Sequence, residues 1–211
     1  MKINKSSTNN MSKIFPKYFL KYLYLKTRLH QKIFRDGSFP YKNYHKLTEY
    51  VVKYNIENAL ECGTAIGLTA AAICLGSKSV KLDTIEKHER NINKTKSNIQ
   101  KYFPKVFPQI NFIQGKYFDV LENKNLNPVG DSAESNKKYD LIFLDCYISR
   151  YNEVVFLSNY LKAGGIFVVS NIREEIAKSL LAKNFLLDTN NFELLEIADD
   201  TIFCKKKANV L

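Results

Sequence analysis

Paired cysteines and long apolar runs are both missing from this chain of 211 residues. The four cysteines form no CxxC pair, so the sequence offers no closely spaced zinc ligands. Each lies in an apolar stretch, which predicts small core residues in a reducing, cytoplasmic compartment: Cys62, Cys74, Cys146 and Cys204. No run approaches the roughly 18 apolar residues that a membrane span needs. The polar opening segment also lacks the apolar block of a secretory signal.

Negative charge is scarce as well, because 32 lysines and arginines face 21 aspartates and glutamates, a net charge of +11. A basic surface attracts nucleic acid in a salt-dependent way, which leaves a nucleic-acid partner open. We interpret residues 1–40 as a basic, aromatic extension of helices, and residues 41–211 as a single domain. The basic stretch Ile14–Leu29 is predicted to pack as a helix, with a membrane-surface location as the alternative.

Short β-rich runs alternate with helical patterns from about Asn58, which predicts an α/β fold with a parallel sheet. The predicted strands are Asn58–Cys62, Val80–Ile85, Ile110–Gln114, Tyr139–Leu144 and Gly165–Val169. The predicted helices are Leu68–Leu75, His88–Tyr102, Tyr117–Glu122, Tyr151–Leu161 and Arg173–Phe185. Residues 192–207 predict a closing antiparallel hairpin that turns at Asp199-Asp200, and residues 123–138 predict a flexible surface loop.

The segment ALECGTAIGLT joins the first predicted strand to a helix through small residues. Gly63 and Gly67 allow a sharp backbone turn and the close approach of a ligand. The free N–H groups at the start of the next helix are suited to a carboxylate. Glu61 is suited to a ligand ammonium group, and Thr64 and Thr69 are suited to hydrogen-bond a ligand carboxylate.

Polar side chains also follow the other predicted strands. Glu86 ends the second strand, where an acidic side chain can accept both ribose hydroxyls of a nucleoside; a helix N-terminal glutamate is the alternative. Asp145 follows the fourth strand, where open α/β sheets bind ligands, with a helix cap as the alternative. Ser170 and Asn171 end the fifth strand beside the same crevice.

Taken together, these motifs resemble the class I S-adenosylmethionine-dependent methyltransferases, and among them the small O-methyltransferases of the catechol and caffeoyl-CoA type. The resemblance spans about residues 41 to 207. It implies a Rossmann-like fold with a seven-stranded, mostly parallel sheet, an antiparallel last strand, helices on both faces and extra N-terminal helices. It also implies S-adenosylmethionine as cofactor, surrounded by Glu61, Gly63, Thr64, Gly67, Thr69, Glu86 and Asp145.

Two positions depart from this family. In the family, magnesium is bound by one aspartate after the fourth strand and by an Asp-Asn pair that ends the fifth. Asp145 matches the first aspartate and Asn171 matches the asparagine, but Ser170 replaces the aspartate of the pair. The family's catalytic lysine is replaced by Ile148, which cannot take a proton. Because hard divalent cations prefer carboxylate ligands, the sequence argues against a metal. The remaining catalytic candidates are Asp145 and Asn171.

The sequence therefore predicts an S-adenosylmethionine-dependent methyltransferase that transfers a methyl group to the oxygen of a small molecule without a metal. Three alternatives stay open. The chain is an RNA methyltransferase whose basic N-terminal segment binds phosphates, a non-catalytic binding module on the same fold, or an aminopropyl transferase. The methyl acceptor and the oligomeric state are left open by these patterns.

Overall fold

The computed structural model describes residues 41–122, 138–145, 151–173 and 175–208. Four features of the sequence analysis lie outside these ranges: the N-terminal extension at 1–40, the loop at 123–138 apart from its last residue, Cys146 and Ile148.

Helices and strands alternate through most of the described chain. The strands are β1 (Asn58–Cys62), β2 (Lys81–Glu86), β3 (Ile110–Gln114), β4 (Tyr139–Leu144), β5 (Leu161–Val169), β6 (Phe192–Ala198) and β7 (Thr201–Lys206). The helices are α1 (Tyr41–Lys53), α2 (Leu68–Gly76), α3 (Glu89–Tyr102), α4 (Tyr117–Glu122), α5 (Tyr151–Ser158) and α6 (Ala177–Leu187). A short 3₁₀ turn, Phe107–Gln109, precedes β3.

One seven-stranded sheet has the order β3-β2-β1-β4-β5-β7-β6. Strands β1 to β5 pair in parallel, and β7 runs antiparallel to both β5 and β6. The chain winds outward from β1 to β3 and then returns to place β4 on the other side of β1. This reversal creates a crevice at the carboxyl ends of β1 and β4, where doubly wound sheets bind ligands. The predicted fold class and the closing hairpin are confirmed.

Each face of the sheet packs on its own hydrophobic core, because successive side chains of a strand point to opposite faces. In β1, Ala59 joins the core on one face, and Leu60 and Cys62 join the core on the other. The fourth strand is buried on both faces, which explains its near-continuous apolar sequence. Helix α2 packs in the first core through three consecutive alanines at 70–72.

Several predicted bounds differ from the observed ones. Strand β5 begins at Leu161 and not at Gly165, and the preceding helix ends at Ser158. The strand starts earlier because Leu161 already pairs with Tyr139 of β4, whose backbone N–H donates to the Tyr160 carbonyl at 2.8 Å. The last predicted helix begins four residues late, at Ala177.

The three described cysteines, Cys62, Cys74 and Cys204, are buried thiols. Within the described ranges, no helix combines the length and the apolar character needed to cross a membrane.

Candidate active site

The carboxyl ends of neighbouring strands stay hydrogen-bonded just beyond the sheet. The Gly63 N–H donates to the Ile85 carbonyl at 3.0 Å, and the Asp145 N–H donates to the Cys62 carbonyl at 3.1 Å. The Ser170 N–H donates in the same way to the carbonyl that ends β4, at 3.0 Å. These bonds hold the first residues after β1, β4 and β5 at one level along the edge of the crevice.

The turn between β1 and α2 requires glycine at two positions. Gly63 has φ +97° and Gly67 has φ +88°, both in the left-handed region. A Cβ atom on Gly63 would lie 2.4 Å from the carbonyl oxygen of Asp145, and one on Gly67 would lie 2.6 Å from Cγ2 of Thr95. Gly67 precedes α2 and has no side chain to cap its first amides, of which that of Ala70 interacts with the Glu61 carboxyl.

Glu86 lies against this turn. Its buried carboxylate accepts the backbone N–H of His88 at 2.9 Å and the backbone N–H of Ala65 at 3.4 Å. The second bond joins the end of β2 to the middle of the glycine turn. Two segments 21 residues apart in sequence therefore form one site, as expected for the carboxyl ends of adjacent parallel strands.

Glu61 lies beneath the turn and is wholly covered by protein. The Thr84 hydroxyl is hydrogen-bonded to Oε2 of Glu61 and also to the Thr64 hydroxyl. Burial raises the pKa of Glu61 to about 8, with the Thr84 hydrogen bond opposing and the charges of Asp145 and Glu86 adding to the rise. Thr69 is buried in the first turn of α2.

Thr84 is a residue of the site that the sequence analysis missed. It is the register partner of Glu61 across β1 and β2, and it lies two residues before Glu86, on the same face of β2. A polar residue inside an otherwise buried strand was the available signal, because such residues need a hydrogen-bond partner.

Asp145 and Asn171 meet across the ends of β4 and β5. The Asn171 side-chain amide donates to Oδ1 of Asp145 at 2.6 Å, and Asn171 adopts φ +60°. Burial, and then the charge of Asp200, raise the pKa of Asp145 to about 7, while the Asn171 bond opposes this rise. Asp200 belongs to the β6–β7 turn, and the sequence analysis did not place it in the crevice.

The residues at the family's metal position do not fit a hard divalent cation. Asn171 directs an N–H group, not an oxygen, at the Asp145 carboxylate. The hydroxyl of Ser170 is buried and accepts from Thr201 at 3.5 Å. The family's three metal positions thus hold one carboxylate, a neutral hydroxyl and a neutral amide, whereas magnesium favours charged oxygen ligands. Within the described residues, no group of three or more histidine, cysteine, aspartate or glutamate side chains is arranged to hold a metal.

No protein-family profile matches the chain. Solved structures do. A candidate caffeoyl-CoA O-methyltransferase from Staphylococcus aureus is 22% identical, covers 91% of this chain and 99% of its own, and superposes with a TM-score of 0.66. The O-methyltransferase from Bacillus cereus in complex with SAH is 15% identical, with coverage of 90% and 91% and a TM-score of 0.68.

A third structure, the O-methyltransferase TomG from Streptomyces achromogenes in complex with SAM, is 13% identical, with coverage of 84% and 86% and a TM-score of 0.65. At these identities the likeness defines the fold. The chain has the Rossmann-like fold of the class I methyltransferases. The three structures described above carry the name O-methyltransferase.

Proposed function

We propose that this chain is an S-adenosylmethionine-dependent methyltransferase that methylates the oxygen of a small molecule without a metal. The observation that carries the proposal is the contact between Glu86 and the glycine turn. It joins a carboxylate suited to ribose hydroxyls to a turn suited to the amino-acid part of the same ligand. The neighbouring structures that contain SAM and SAH support this cofactor.

In this proposal each part of the cofactor has its own residues. The ribose binds to Glu86, and the amino-acid part binds along the turn from Gly63 to Gly67. Its carboxylate meets the first amides of α2, helped by the hydroxyls of Thr64 and Thr69. Asp145 contributes negative charge near the sulfonium and ammonium groups, and Glu61 lies beneath the turn that holds them. Four carboxyl groups that act on one another line this region of a chain whose net charge is +11: Glu61, Glu86, Asp145 and Asp200.

Methyl transfer from a sulfonium requires that the acceptor oxygen lie in line with the methyl group, so positioning does much of the work. Asp145 is the proposed general base, since a group with a pKa of about 7 is partly ionised at neutral pH and still basic enough to accept a proton. Asn171 is proposed to orient the Asp145 carboxylate through its 2.6 Å hydrogen bond. The acceptor proton leaves on Asp145 as the methyl group leaves sulfur.

We further propose a hydroxylated small molecule as acceptor, because the structural neighbours carry the names of O-methyltransferases. Residues 41–211 form the catalytic domain in this proposal, and residues 1–40 are an extension of it. A reducing, cytoplasmic location is supported by the three buried thiols of the described chain.

The direct test is transfer of a labelled methyl group from S-adenosylmethionine to a panel of phenolic acceptors, with and without a chelator. The proposal predicts turnover that the chelator leaves unchanged. Loss of activity with the chelator, restored by magnesium, contradicts metal independence. Tight cofactor binding without transfer to any acceptor favours the non-catalytic alternative.

A further inference from the structure

Three buried side chains form a hydrogen-bonded chain beneath the glycine turn. The Thr84 hydroxyl bonds to Oε2 of Glu61 on one side and to the Thr64 hydroxyl on the other. Among the described residues, the Thr64 hydroxyl has no other partner, and Oε1 of Glu61 has none. The open end of the chain is therefore the Thr64 hydroxyl, which belongs to the turn proposed to hold the cofactor.

Burial and the acidic groups near the Glu61 carboxyl disfavour a negative charge there, and together they outweigh the Thr84 hydrogen bond, which favours it. Glu86 from β2 and Asp145 after β4 are acidic, and the Cys74 thiol of α2 is neutral. The backbone N–H of Ala70 in α2 favours the charged form, but burial outweighs it. Within the described part of the chain, no lysine, arginine or histidine acts on this carboxyl. The neutral, protonated form is therefore the state expected at about pH 7.

The position of that proton follows from the contacts. A proton on Oε1 would be a buried donor without an acceptor, which is an unfavourable arrangement. A proton on Oε2 is donated to the Thr84 oxygen. Because a hydroxyl has one hydrogen, Thr84 then donates to Thr64, and Thr64 keeps its own hydrogen for a ligand.

An ionised Glu61 reverses every bond in the chain. Thr84 then donates to Glu61, and Thr64 donates to Thr84. The Thr64 oxygen would present lone pairs to the turn and would repel an anionic ligand group. The protonation state of a carboxyl beneath the turn thus decides whether Thr64 can donate to a ligand.

We propose that protonated Glu61, acting through Thr84, orients the Thr64 hydroxyl to donate to the carboxylate of the cofactor's amino-acid part. Glu61 and Thr84 are positioning residues in this arrangement. The inference rests on the proposed function. It differs from the expectation drawn from the sequence, in which Glu61 pairs directly with the ligand ammonium group.

Calorimetry with two nucleosides tests the role of Thr84. S-adenosylhomocysteine carries the amino-acid carboxylate, and methylthioadenosine lacks it. Thr84→Val interrupts the hydrogen-bonded chain. It is expected to lower the affinity for S-adenosylhomocysteine about tenfold and to leave the affinity for methylthioadenosine unchanged. Thr84→Ser keeps a hydroxyl and is expected to restore the affinity. An equal loss for both nucleosides would show a merely structural role and overturn the inference.

The pH dependence tests the role of Glu61. Wild-type protein should bind S-adenosylhomocysteine at about pH 7 without exchanging a proton through this group. Near pH 9 binding should take up a proton and weaken, because Glu61 must be reprotonated. Glu61→Gln supplies an N–H donor to Thr84 and cannot ionise, so its binding should lose the pH dependence that Glu61 causes and keep only the ligand's own.

Two results would separate the possible failures. Proton release on binding at about pH 7 that Glu61→Gln abolishes would favour the direct ion pair and overturn the inference. Binding of neither nucleoside by the wild-type protein would contradict the proposed function itself, and the inference with it.

Discussion

At the scale of a single residue, Asp145 is the base that we propose. Its carboxyl is buried, bonded to Asn171 and near the charge of Asp200. The pKa of about 7 is set mainly by burial, with the Asp200 charge as the second cause. A carboxyl of ordinary pKa would be too weak a base to assist an acceptor hydroxyl at neutral pH.

We predict that Asp145→Asn lowers the rate of methyl transfer by about 10²- to 10⁴-fold, the usual range for a lost general base. In the wild-type protein the rate should fall as the pH drops below about 7, since protonated Asp145 accepts no proton. The rate at saturating cofactor, measured across pH, checks both statements. A variant with the wild-type rate and pH profile would exclude Asp145 as the base.

Glu61 has a second consequence, for stability. Its pKa is about 8 in the folded protein and near 4.5 in an ordinary environment, so the unfolded chain loses this proton first. The free energy of unfolding should therefore fall between these two pH values, by about 1.4 kcal/mol per pH unit at most.

Glu61→Gln removes this titrating group. The free energy of unfolding of the variant should therefore depend less on pH between about 4.5 and 8 than that of the wild type. Urea denaturation of both proteins at several pH values gives the difference directly. Parallel curves for the two proteins would mean that Glu61 has an ordinary pKa in the folded state.

At the scale of elements, the turn between β1 and α2 depends on the missing side chain of Gly63. We predict that Gly63→Ala strongly destabilises the fold and abolishes cofactor binding, because the new Cβ would lie 2.4 Å from the Asp145 carbonyl oxygen. Gly164→Ala is the matched control, with φ +77° and no atom within 4 Å of its Cβ.

The free energy of unfolding of the control variant should fall by only about 1–2 kcal/mol, the cost of a left-handed backbone conformation for alanine, and cofactor binding should be kept. Denaturation and calorimetry on both variants separate the two contributions. Equal losses of stability would show that the conformation of Gly63 matters and its close approach to Asp145 does not.

Much of this architecture can be predicted from the sequence, for identifiable reasons. Strands β1, β3 and β4 have their predicted bounds because each is a short β-rich run between turn or helix signals. Glu86, Asp145 and Asn171 could be placed in one crevice because the ends of parallel strands share one edge. Thr84 and Asp200 could not be placed there from the sequence. The position of Thr84 depends on the register between β1 and β2, and that of Asp200 depends on how the closing hairpin folds back.

The whole molecule combines an acidic crevice with a basic surface. At the opposite end of the sheet a cavity of about 470 Å³ is lined by four lysines, Lys138, Lys162, Lys206 and Lys207. Three of these ammonium groups are already engaged. Lys138 and Lys206 donate to backbone carbonyls at the α5–β5 connection, and Lys162 pairs with Asp140 at 2.7 Å. We expect this surface to attract polyanions through charge alone.

We therefore predict that RNA binds weakly and is released at about 0.15 M salt, where surface charges are screened beyond about 8 Å. Fluorescence titration of a labelled RNA at increasing salt measures this. Saturable binding that persists at physiological salt would instead support the RNA methyltransferase alternative.

The central claim is that Glu86 and the glycine turn form one nucleoside site, and calorimetry with S-adenosylhomocysteine tests it most directly. The wild-type protein is expected to bind in the micromolar range, and Glu86→Gln to bind at least about tenfold more weakly. Glu89→Gln, which removes an exposed charge from the first turn of α3, is the matched control and should bind normally. No binding by the wild type, or equal losses in the two variants, would contradict the account.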